Sequence, residues 1–113
     1  MTATPPAGRP AQPAGPWAKG KLVVERLIEE GRLDVVVPDE AVVQRQISYA
    51  SQHLGAAREQ VERFPLPAFT NAYDAARLTM SAALERQGLR ARSAGAHLTV
   101  EEATAAQIGT AVG

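Results

Sequence analysis

Apolar residues recur every three or four positions through two consecutive stretches, first Val43, Ile47, Ala50, Leu54, Ala57, Val61 and Phe64, then Leu66, Phe69, Tyr73, Ala76, Met80 and Ala83, with Leu84 beside them. That spacing gathers each set on one face of an α-helix, whereas a strand would need alternation by twos. The turn Pro65-Leu66-Pro67 separates the two stretches. The pattern therefore predicts two long helices folded into an antiparallel hairpin, spanning residues 38–88. Pro38-Asp39 opens the first, since proline suits a first helical turn and a carboxylate there meets the positive end of the helix dipole. The first helix is expected to reach about Arg63. The second runs from near Pro67 to Gln87, where Gly88 supplies a left-handed cap. Heptad spacing serves packing within one chain and packing across a dimer equally, so the partner of each seam stays open.

The flanks add shorter elements. Leu22, Val23, Leu27 and Ile28 support an amphipathic helix over Lys21 to Glu30, ended by Gly31. Val35, Val36 and Val37 have the composition of a strand, but a single strand has nothing to pair with, so they are read as an apolar linker over one end of the bundle. Leu89 to Ala96 reads as a polar loop. Thr99-Val100-Glu101-Glu102 has the capping-box pattern, which predicts a third helix over 99–112 with the threonine at its N-cap and Glu102 returning to the cap amide. The expected fold is all-α, a helical bundle built on the hairpin, with a short N-terminal helix and this C-terminal one.

Composition bounds what such a bundle does. Five of the eight prolines fall within residues 1–20, interleaved with Gly8, Gly15 and Gly20, so that stretch is expected to be a flexible tail preceding a helical domain over 21–113. Trp17 at the junction is expected to pack its ring on the first helix. Lys plus Arg equals Asp plus Glu at 12 each, so no net field recruits DNA or an anionic membrane, and any polyanion contact must be local. The absence of cysteine removes disulfides, thiolate metal sites and cysteine nucleophiles, and points to a reducing cytoplasm. No apolar run approaches the ~18 residues of a membrane span, and no signal core opens the chain. His53 has no acidic or histidine partner at helical spacing, so no metal site is expected there.

Particular residues also carry a family resemblance. Tyr73-Asp74-Ala75-Ala76-Arg77, then Ala82-Ala83-Leu84, then Gln87-Gly88-Leu89-Arg90, and a Gly95-Ala96-His97 step into a new helix together resemble HEPN domains of the small actinobacterial type, over Pro38 to about Ile108. The resemblance implies a bundle of four or five helices, often dimeric, and often one half of a toxin-antitoxin or nucleotidyltransferase pair. Active members of that family are metal-independent ribonucleases built on an Arg and a His separated by four to six residues. Here Arg92 and His97 have that spacing, with Arg90 to His97 as a longer version, and Ser93 stands where the family usually has Asn. In the family the motif lies on a helix later than the one that His97 precedes, which implies a chain lacking the last helix.

Metal-free RNA cleavage needs a base for the 2′-hydroxyl proton and a cation for the phosphorane charge, roles His97 and Arg92 would fill. The structural alternative is that His97 fixes the loop entering the third helix. Arg86, Arg90 and Arg92, with His97, form a local basic cluster able to touch a phosphate backbone, but no aromatic is interleaved for base stacking. Asp74 and Arg77, at i and i+3, make a surface ion pair. The preferred reading is a non-catalytic, cofactor-free helical module acting by self-association or on a partner protein. The alternative is a ribonuclease using Arg92 and His97.

Overall fold

The computed structural model describes residues 18–93 and 95–108. Trp17, the rest of the tail before it and the part of the expected third helix beyond residue 108 lie outside them. Within them the fold is an all-α bundle with two short strands, in the order α1 (Lys21–Glu29), β1 (Leu33–Val35), α2 (Glu40–Gln60), α3 (Pro65–Arg86), β2 (Leu89–Ala91) and α4 (Ala96–Ile108). The α2–α3 hairpin makes the largest contact in the molecule.

The hairpin begins where the sequence places it, with a different first residue. Asp39 is the N-cap of α2 rather than part of its first turn, and its carboxylate accepts from the Ala41 amide at 2.9 Å. Pro65 and Pro67 do not form the turn: both sit in the first turn of α3, where a missing N–H costs nothing. The connection is instead Val61 to Phe64, and α2 stops at Gln60 rather than Arg63. At the far end Gly88, with φ 78°, caps α3 as expected, as Gly31 with φ 73° follows α1.

The seam between the long helices differs from the expected one. Buried between them are Val43, Ala50 and Ala57 on α2, and Ala68, Ala75 and Ala82 on α3. Both rows repeat every seven residues. Small side chains at the line of closest approach let two backbones come together, and larger ones are displaced to the flanks. Ile47, Leu54 and Val61 therefore lie beside the seam and are partly exposed, while Phe64, Leu66 and Phe69 near the hairpin tip are 55%, 80% and 72% exposed.

A second cluster forms the large-residue core. Val24 and Leu27 of α1, Leu33 of β1, Leu84 of α3, Leu89 of β2, and Val100 and Ala103 of α4 are packed together with almost no exposure. The strands supply a floor absent from the expected fold. β1 pairs antiparallel with β2 in the register Leu33↔Ala91, Asp34↔Arg90 and Val35↔Leu89, and Val36 N–H donates to Gly88 O at 2.8 Å. The presumed loop after Gly88 is thus the missing strand partner, brought back by the hairpin inserted between the two strands. Val37, 86% exposed, covers nothing.

The capping box at Thr99 does not form. α4 starts at Ala96, three residues earlier, so Thr99 lies within the helix, fully buried, with its hydroxyl accepting from Arg32 Nε at 3.2 Å. Glu102 turns outward to Arg26 and Arg32, the latter at 3.2 Å.

Candidate functional site

Two features lie on opposite flanks of the alanine seam. Residues seven apart keep nearly the same bearing on an α-helix, at ~100° per residue, so each flank of α2 can be read as a row. One row is polar: Gln46, His53 and Gln60. Across it on α3 stands Asn71, whose Oδ1 accepts from His53 Nδ1 at 2.8 Å and whose Nδ2 donates to Gln60 Oε1 at 2.9 Å. The other row is Ile47, Leu54 and Val61, and antiparallel geometry sets it beside the exposed Ala72, Ala76 and Ala83 of α3, with Phe69 at the rim. A ridge of branched side chains thus runs next to a trough of alanines.

On the polar flank, where the hairpin base meets β2 and α4, a half-enclosed cleft of about 100 Å³ is lined by Gln46, Arg77, Ser81, Glu85, Arg90 and His97, with apolar walls from the core. Glu85 is the anchor of this wall. Its carboxylate is 1% exposed, and it accepts from Arg90 Nε at 3.0 Å, Arg90 Nη2 at 2.8 Å and the Asp39 amide at 3.1 Å. Such bidentate pairing compensates a buried charge, and it raises the Arg90 pKa above its ordinary value. Arg77 is held more loosely, with Nη2 3.8 Å from Asp74. Its Nε, like Gln46 Oε1, is buried with no hydrogen-bond partner among the described residues.

The residues singled out from sequence are distributed as follows. His97 lines the cleft and meets Tyr73 edge-on, with ring centroids 6.5 Å apart. Tyr73 is no core residue: it donates its hydroxyl to Glu101, a bond that raises the phenol pKa. Arg92 is elsewhere. Its guanidinium holds Asp34 through Nε at 3.0 Å and Nη2 at 2.9 Å, which raises the Arg92 pKa, and a side chain on Gly31 would meet it. Of the arginines singled out with His97, Arg90 is therefore the one that shares its cleft, alongside Arg77. Arg86 pairs with Glu40 at 2.8 Å, so all three arginines of the basic cluster carry a carboxylate. Among the described residues no group of three or more His, Cys, Asp and Glu is placed to hold a metal ion, and no helix is long and apolar enough to cross a membrane.

The chain matches no protein-family model, no curated protein and no solved structure.

Gln46, Ser81 and Glu85 escape sequence reasoning. The one signal for Gln46 is its heptad register with His53 and Gln60, which marks a polar row beside a small-residue seam. Glu85 follows the core residue Leu84, and only its later partner Arg90 explains why a carboxylate is tolerated there.

Proposed function

We propose that the protein is a helical association module that pairs with a second copy of itself through the apolar flank of the hairpin. The observation that carries this reading is the exposed row Ile47, Leu54 and Val61 beside the alanine trough, extended by Phe69. Aromatic side chains bury roughly 150–250 Å² each, so the exposed part of Phe69 alone leaves roughly 100–200 Å² uncovered. With the α2 row added, the patch reaches the several hundred Å² at which an apolar surface on a soluble chain marks association.

Self-pairing is favoured over a different partner because the face is self-complementary. A twofold axis along the hairpin lays the α2 ridge of one copy in the α3 trough of the other, and the reverse, giving a four-helix bundle with every neighbour antiparallel. A net charge of zero imposes no long-range repulsion between copies. The HEPN resemblance points the same way, since it implies dimers, and a toxin-antitoxin or nucleotidyltransferase context would add a partner protein to that assembly in the cytoplasm.

Sedimentation equilibrium of the full chain tests the proposal. A reversible dimer is expected, converted to monomer by the paired substitutions Val61→Ser and Phe69→Ser, which touch exposed positions and leave the far-ultraviolet circular dichroism spectrum unchanged, while the concentration dependence of the melt is lost. A monomer at all concentrations up to the millimolar range sinks it. Cleavage of RNA in EDTA that disappears in His97→Ala would instead install the ribonuclease reading.

A further inference from the structure

The hairpin is turned so that a polar row is half-buried and an apolar row is exposed, the reverse of what apolar burial selects. Gln46, His53 and Gln60 are half-buried on one side of the inner line of α2, while Ile47, Leu54 and Val61 are 43%, 41% and 56% exposed on the other. On α3 the same holds for half-buried Asn71 against exposed Ala72 and Thr79. α2 makes its one extensive contact with α3, so the turn belongs to this pair of helices. At ~100° per residue, each flanking row lies about 40–60° from the line Val43, Ala50 and Ala57 or its α3 counterpart Ala68, Ala75 and Ala82. Turning both helices by about 25° gives the symmetric heptad seam, in which Ile47, Leu54 and Val61 share the interface with the inner row. Ala72 and Thr79, which α3 would bring inward opposite them, are small and do not obstruct it. What the turn breaks is the polar bridge, Asn71 to His53 Nδ1 at 2.8 Å and to Gln60 Oε1 at 2.9 Å. With side chains ~5–6 Å from each axis, it draws the two sides of the bridge back by about 2–3 Å each, too far for either bond.

We propose that the His53–Asn71–Gln60 bridge is a rotational latch, which holds the hairpin off the symmetric seam and so keeps the apolar row exposed for a second copy. Asn71 is the positioning residue, because it alone bonds to both members of the α2 row. What the row meets rests on the association reading; the rotation does not.

Asn71→Ala removes both bonds and suits a helix. The chain has no cysteine, so Leu54→Cys is a unique reporter. Its alkylation rate at nanomolar protein, where a reversible dimer dissociates, reads the exposure of the row within one chain. Asn71→Ala is expected to slow that reaction by roughly tenfold, the bias that two half-buried hydrogen bonds of ordinary net worth impose. A merely loosened hairpin would react faster, so the direction separates a latch from a lost contact. Asn71→Asp, which still accepts from His53 and from a turned Gln60 amide, should restore the native rate. Gln60→Ala, which removes one bond, should fall between and decides the matter if Asn71→Ala does not fold. An unchanged or faster rate in folded Asn71→Ala overturns the proposal. With Leu54 in place, sedimentation should show the dimer of Asn71→Ala weakened by a similar factor and that of Asn71→Asp restored. If the reporter slows while the native chain stays monomeric at every concentration, the latch stands and the association reading alone fails.

Discussion

Single residues fix the junction between hairpin and ribbon. Gly88 has φ 78°, and a Cβ there would stand 2.8 Å from Val36 O, the carbonyl of the residue whose amide bonds to Gly88. Strain and clash act together, so Gly88→Ala is expected to lower stability by about 1–3 kcal/mol, measured by urea unfolding. Three residues earlier in the same corner, Glu85 is buried with Arg90 as its countercharge. Arg90→Ala should be costlier than Glu85→Gln, because it leaves the carboxylate uncompensated while the amide keeps the shape and stays neutral. The loss for Arg90→Ala is expected near 2–3 kcal/mol, since the arginine is half-exposed and water partly replaces it. Gly88 and Gly31 were legible in the sequence, because a left-handed cap demands glycine and announces itself. Thr99 misled for a matching reason: the capping-box pattern is local, and the burial of its hydroxyl against Arg32, 67 positions away, is not.

Among the elements, the hairpin was the most legible and its inner face the least. Helical spacing identifies a face to within a turn, and both Val43, Ala50, Ala57 and the bulkier Ile47, Leu54, Val61 satisfy it. The closest approach of two helices selects the smaller set, a choice made between chain segments and written in neither alone. Ala75, at the middle of the α3 row, gives the sharpest check. Ala75→Leu inserts volume where the backbones meet and is expected to destabilise by about 1–3 kcal/mol, while Ala76→Leu, exposed on the trough, should leave the unfolding midpoint of the monomer within about 0.5 kcal/mol. Comparable losses at both positions would mean that the alanine seam does not set the helix spacing. The strands were missed because three residues of β1 acquire meaning only from three residues of β2 beyond the inserted hairpin. The cleft inherits that difficulty, being walled by α2, α3, β2 and α4 together.

At the scale of the molecule, carboxylate pairs tie distant segments together and should set its response to acid. Glu102 of α4 accepts from Arg26 of α1 and faces Arg32 ahead of β1, and these contacts hold its carboxyl below its ordinary value, the Arg26 bond first. Glu40 at the start of α2 is lowered by its bond from Gln44 and then by Arg86 at the end of α3. A carboxyl whose folded pKa lies below the unfolded one binds fewer protons when folded, so it adds stability above about pH 4.3 and loses it as the pH falls through the lowered value. The thermal midpoint is therefore expected to hold from pH 7 to about pH 5 and to decline below it. In Glu102→Gln the decline should be shallower, with a lower midpoint than the native chain at pH 7 and curves that converge at the acid end. Because these pairs are largely solvent-exposed, 1 M NaCl should narrow the gap at pH 7. Parallel curves for the native chain and Glu102→Gln across the whole range would show that the tie between α4 and α1 rests on the apolar contacts of Leu27, Val100 and Ala103 alone.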